Sequence, residues 1–248
     1  MTKQKKQYVN RWVQYLLYLV VLAFGIILNT KSGLGVSPII SVAYCVSELT
    51  GLNFGNMTFL WYVTFILVEM VLHTLQKCPK RQYLLDALQI VVSLVFTRVM
   101  NLIGSFIPDF ATDDLTPFWN GYGGRLIVLA AGIILTGIGA AGSLNMRIVP
   151  NPGDGIVQAF ADQFHKSNGF IKNCVDTCCI LLTITLSWTI YHGWIGIGIG
   201  TVLAVIFVGR TVALWNHLFL EKTLNMAGLL LPTFEEHTKP EEDRYFED

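Results

Sequence analysis

Six stretches of about 20 mostly apolar residues constrain this chain more than any other feature, since a helix of about 20 apolar residues crosses a hydrocarbon core about 30 Å thick. They are Trp12–Thr30, Met57–Gln76, Leu84–Phe106, Arg125–Met146, Cys174–His192 and Ile195–His217. Strand-type alternation is absent, which argues against a β-barrel. Two further stretches, Ser37–Thr50 and Asn151–His165, are shorter and more polar. As helices each reaches about 21 Å at 1.5 Å per residue, a length that suits a re-entrant half helix. Composition agrees, with 53% of the 248 residues hydrophobic and 14% charged, and a mean hydropathy of +0.53. A soluble domain carries about 25% charged residues. The balance therefore excludes a soluble enzyme, a nucleic-acid binder and a disordered chain.

The net charge is zero, but the two signs are segregated. Lys3, Lys5, Lys6 and Arg11 precede the first apolar run, which is long and has no small-residue cleavage site after it, as expected of an uncleaved first span. By the positive-inside rule residues 1–11 form a cytoplasmic N-terminus, and the Lys77–Arg81 loop lies on the same side. Asp109, Asp113 and Asp114 mark residues 108–124 as an extracellular acidic loop. Arg147, Lys166 and Lys172 return the chain to the inside, which leaves the acidic tail 219–248 cytoplasmic. These assignments agree only if neither short segment crosses.

The chain also repeats itself. Leu22–Leu28 (LAFGIIL) returns as Leu129–Leu135 (LAAGIIL), and Ser37-Pro38 and Asn151-Pro152 open the two short segments. The order of long helix, short helix, long helix, long helix thus spans 12–107 and again 125–218. Three crossings per half make the second half upside down relative to the first. The expected fold is an all-α membrane protein with six transmembrane helices, two short re-entrant half helices and an inverted internal repeat. Inverted repeats with discontinuous helices are a common transporter architecture, with the site at the repeat interface.

Candidate site residues follow from this plan. Ser37 and Asn151 are helix caps and Pro38 and Pro152 fit the first helical turn. If the short helices dip in from opposite faces, their N-termini converge, and Asp154 lies beside one of them. The plainer alternative is a pair of ordinary capped interfacial helices. Arg98 and Arg210 lie inside long apolar runs, where charge is expensive. They read either as anion-binding or gating arginines, or as partners of Glu48, Asp86, Asp154 or Asp176, or as snorkelling side chains. Glu69 and Asp176 are the ion-coupling candidates. Glu69, His73 and Lys77 share one helix face, as a proton path or as an interfacial ion-pair stripe. No zinc-type cysteine set, phosphate-binding glycine loop or hydrolase motif is present, so no metal, cofactor or catalytic residue is expected, and the chain is not read as an enzyme.

Ser32–Pro38 (SGLGVSP) with Thr50–Gly55 (TGLNFG), and Asn151–Gly155 (NPGDG) with Gly196–Thr201 (GIGIGT), resemble the two halves of the bacterial YczE/YyaS/YitT family of integral membrane proteins. The resemblance covers roughly residues 12–218 and leaves out the acidic tail. It implies a multi-pass protein of the bacterial cell membrane. Some members are linked to regulators of the pyridoxal-phosphate-binding kind, which implies a vitamin-like or amine-related solute. The function expected is transport or channelling of a small polar solute, anions included, with the lipid bilayer as the other partner. The alternative is a membrane-embedded regulatory or scaffold protein acting through the tail.

Overall fold

A computed structural model describes the fold of residues 3–229 and the side chains from residue 7 onward; the acidic residues from Glu235 to Asp248 lie outside the described residues. The chain runs α1 (Lys3–Lys31), α2 (Pro38–Thr50), α3 (Phe54–Leu75), α4 (Lys80–Phe106), a single turn α5 (Pro117–Asn120), α6 (Tyr122–Asn145), α7 (Pro152–Phe164), α8 (Asn168–Leu186) and α9 (Ile199–Ala227). A π-helical turn, Ser187–Tyr191, extends α8. No strand occurs among the described residues. Six helices (α1, α3, α4, α6, α8 with its π turn, and α9) are long and apolar enough to cross a membrane.

Local chemistry explains the breaks. Pro38 and Pro152 sit at the first turns of α2 and α7, where a missing N–H costs nothing. Asn151 caps α7 by accepting the Gly153 N–H at 3.1 Å, whereas Ser37 makes no side-chain cap bond. Asn53 and Ser167 cap α3 and α8 in the same way, each accepting a backbone N–H three residues on. Two boundaries differ from the expected ones. The first helix takes in most of the basic N-terminal segment, and α9 runs on to Ala227, into the segment assigned to the tail. Both ends have packing to sustain them, for Asn10 Nδ2 donates to the Met226 carbonyl at 2.6 Å.

One constant spacing relates several landmarks of the two halves. The spacing from Pro38 to Pro152 is also that from Phe54 to Asn168, the first residues of α3 and α8. It relates the left-handed C-caps Gly51 and His165, and the left-handed residues Gly33 and Arg147. It also relates Arg11 to Arg125. Arg11 Nε and Nη2 donate to the carbonyls of Met146 and Arg147, at 2.7 and 2.6 Å. Arg125 Nε and Nη2 donate to those of Ser32 and Gly33, at 2.8 and 2.6 Å. Each arginine thus neutralises the carbonyl end of the other half's first helix. In this register Gly25 corresponds to Gly139, so the LAFGIIL match, which pairs Gly25 with Gly132, is two helical turns out of step.

Non-glycine residues at φ +48° (Arg147) and φ +52° (His165) occupy conformations that cost an L-residue about 1–2 kcal/mol. Glycine already stands at the two corresponding positions. Arg147→Gly and His165→Gly are therefore each expected to raise the thermal midpoint in detergent by about 1 kcal/mol of stability.

Packing follows the same exchange. The first helices, α1 and α6, cross against each other, α2 packs on α8, and α7 packs on α3. Each short helix therefore rests on a long helix of the other half. The principal core lies among Tyr15, Ile26, Ile40, Tyr62, Met100 and Ile156, drawn from five of the long and short helices on both sides of this exchange.

Candidate functional site

The α7 N-terminus enters a buried polar zone. Asn151 and Pro152 are buried, Asp154 is partly buried, and the Tyr62 hydroxyl meets the Asn151 side chain. Glu69, 1% exposed, reaches this helix start from α3. A Cβ built on Gly155 would lie 2.7 Å from Glu69 Oε2, so the glycine is what admits the carboxylate. Glu69 Oε2 accepts from Gln89 Nε2 of α4 at 2.8 Å, while Glu69 Oε1 and Gln89 Oε1 have no hydrogen-bond partner among the described residues. One turn along α3, His73 Nδ1 lies 2.9 Å from Asp86 Oδ2, with the two side chains 8% and 0% exposed. Gln82 Nε2 approaches the other Asp86 oxygen at 3.5 Å. From α8, Asp176 pairs with Lys172 at 3.5 Å, and its Oδ1 has no hydrogen-bond partner among the described residues. Asp86 and Asp154 act electrostatically on Glu69, and Lys172 and Asp176 act on Asp154. The zone is thus a chain of carboxylates drawn from α3, α4, α7 and α8.

The corresponding place in the other half is uncharged. Ser41 of α2 and Thr183 of α8 are counterparts of Gly155 and Glu69, and their hydroxyl oxygens lie 2.7 Å apart. Both are fully buried and both side chains also bond to backbone carbonyls. A double-mutant cycle on Ser41→Ala and Thr183→Val is expected to return a coupling of about 1 kcal/mol between the halves.

The approach to α2 has its own features. Val36 N donates to the Gly196 carbonyl at 2.9 Å and Gly200 N to that of Leu34 at 2.8 Å, which ties the segment before α2 to the segment before α9. Gly35, at φ +123°, lies so near Gly198 that a Cβ would fall 2.8 Å from its nitrogen. A cavity of about 180 Å³ lies between these segments, lined by Thr30, Leu34, Tyr44, Trp194 and Gly196 among others. Ser37, half-buried, follows this segment directly. Tyr44 and Trp194 were not among the sequence candidates, because lone aromatics in an apolar chain carry no local signal.

Of the sequence candidates, Asn151, Pro152, Asp154, Glu69 and Asp176 fall in one zone, and Ser37 and Pro38 in the opposite half. Arg98 and Arg210 do not join them. Both are exposed on the outer faces of α4 and α9, and neither forms an ion pair among the described residues. Arg210 instead lies over the Phe207 ring, 5.6 Å from its centroid. Counting residues from a helix start fixes depth but not azimuth, and here the azimuth points outward. Arg98→Gln and Arg210→Gln are each expected to change stability by less than about 0.5 kcal/mol, measured as thermal unfolding in detergent. Two of the four proposed carboxylate partners are engaged elsewhere, Asp86 with His73 and Asp176 with Lys172.

A bundle of six membrane-length helices around two short ones and a buried acidic zone defines an all-helical, multi-pass membrane protein. A model described as "Family of unknown function (DUF6198)" matches residues 9–217, and the chain belongs to that family. It is 26% identical over 207 residues to the uncharacterized membrane protein YczE of Bacillus subtilis (strain 168), covering 83% of this chain and 85% of that one. It is also 26% identical over 220 residues to the uncharacterized protein YyaS of the same organism, covering 85% and 92%. These matches bear out the family read from the paired glycine and proline motifs. No solved structure gives a significant match.

Proposed function

We propose that this chain is a transporter for a small polar solute, built as an inverted repeat in which α2 and α7 are half helices entering from opposite membrane faces. The observation that carries this reading is the exchange of α2 onto α8 and α7 onto α3, with each short helix starting at a proline turn inside the bundle. Irregular backbone at membrane depth is tolerated where it is buried in protein or lines a cavity. An α7 N-terminus held among Tyr62, Asn151 and Asp154, and an α2 N-terminus reached past the 180 Å³ cavity, supply two such places.

The charge of the zone refines the solute. A helix N-terminus alone favours an anion, but here the nearest charges are Glu69 and Asp154, and the two arginines face outward. An acidic zone of this kind favours a neutral or cationic polar solute, including an amine, over an anion. The test is uptake. Proteoliposomes holding the purified chain are incubated with a small-molecule extract of cells, and the lumen is analysed by mass spectrometry. Accumulation of particular polar solutes, lost in a folded Asn151→Leu variant, is the expected result. Lumenal contents identical to those of empty liposomes for every solute would overturn the proposal.

A further inference from the structure

Two buried acceptor oxygens in direct succession, Glu69 Oε1 and Gln89 Oε1, find no donor among the described residues. The Gln89 amide directs one of its two N–H groups to Glu69 Oε2 at 2.8 Å. An unsatisfied carboxylate oxygen in an apolar interior is costly, and one proton on Glu69 Oε1 turns an orphaned acceptor into a donor. A desolvated metal cation asks for several more oxygen ligands than this pair offers. One helical turn away on the same face stands the buried His73–Asp86 pair, and beyond it the half-buried Gln82 in the first turn of α4. These groups form a line from the α3–α4 loop to the α7 N-terminus.

Building on the transport reading, we propose that Glu69 is the proton-carrying residue that couples solute movement to a pH gradient, and that His73–Asp86 is its port on the α3–α4 loop side. The imidazole takes a proton from water and, as an imidazolium, is balanced by Asp86. It then passes a proton to Glu69, whose carboxylate becomes a neutral acid as His73 returns to the neutral ring. Only N–H and O–H bonds are made and broken. Gln89 and Asp86 of α4 and Asp154 of α7 act on Glu69, Asp176 and Lys172 of α8 act on Asp154, and His73 lies one turn along α3 from Glu69. The repeat makes the relay one-sided. The counterparts of Glu69 and His73 in the other half are Thr183 and Ser187, both buried hydroxyls that bond to backbone carbonyls. Release on the far side therefore requires the two halves to change places around the site.

Glu69 is the sole buried glutamate among the described residues, so infrared spectroscopy on the full chain carrying carboxyl-labelled glutamate reads it directly. The expected result is a protonated-carboxyl band that persists near neutral pH, titrates as pH rises, and vanishes in Glu69→Gln. In proteoliposomes, a pH gradient is expected to raise solute accumulation several-fold in the unaltered chain and not in Glu69→Gln. His73→Gln is expected to slow proton entry while leaving the band. Uptake that persists with no protonated glutamate at any pH, or that follows a sodium gradient instead, would overturn this inference and leave transport standing. A titrating Glu69 band with no uptake of any solute would support the proton site and overturn the transport reading.

Discussion

Gly139→Leu is expected to leave no monodisperse protein after extraction into detergent. Gly139 sits where α6 crosses α1, and a Cβ there would fall onto the backbone of Leu22, which cannot step aside as a flexible side chain would. Gly25 and Gly132 face the same crossing from the two helices, where a Cβ would lie 2.7 Å from Thr136 Oγ1 and from Asn29 N respectively. Small residues let helix backbones approach closely in a bilayer, where the hydrophobic effect does little to hold helices together. Overpacking usually costs about 1–3 kcal/mol and occasionally more, and here it falls on the largest helix–helix contact in the molecule. Gly209→Ala is the control. Nothing lies within 4 Å of a Cβ at Gly209, so alanine there is expected to be neutral or to stabilise the helix by up to about 1 kcal/mol.

Asp86→Ala is the second severe substitution. Asp86 is fully buried, faces His73 Nδ1 at 2.9 Å and is approached by Gln82. Removing the carboxylate leaves the buried His73 Nδ1 without its partner, which costs about 1–3 kcal/mol. Asp86→Asn keeps an oxygen for His73 and is expected to lose less. Thermal unfolding of the three proteins in one detergent orders them as unaltered, Asn, Ala. An Asp86→Ala midpoint equal to that of the unaltered chain would show that the pair contributes nothing to holding α3 on α4.

What the sequence made legible was whatever depends on neighbours along the chain. The six long helices follow from run length, and Ser37-Pro38 and Asn151-Pro152 mark the starts of α2 and α7 because capping and proline effects act within one turn. The register of the repeat was not legible from its strongest identity. Glycines recurring seven residues apart along α6 look alike, so LAFGIIL matched Leu129–Leu135 although the spacing from Pro38 to Pro152 pairs Gly25 with Gly139. The acidic zone was half legible. Glu69 and Asp176 stood out as charges in apolar runs, but the link from Glu69 to Gln89 and the seating of Glu69 on Gly155 depend on how α3, α4 and α7 pack. The arginines failed as site residues for the same reason, since nothing local tells a helix which of its faces will be covered.

In the proposed architecture α2 and α7 enter the membrane from opposite faces without crossing it. Leu52, in the turn between α2 and α3, and Lys166, in the turn between α7 and α8, are both exposed. Single cysteines at these two positions, in a chain whose five native free cysteines have been replaced, are treated in intact cells with a thiol reagent that cannot cross the membrane. Labelling of Leu52→Cys from outside, with Lys166→Cys labelled only after the cells are opened, is the predicted result. If both short helices crossed, the two turns would lie on the same side, and protection of both cysteines in intact cells would contradict the account.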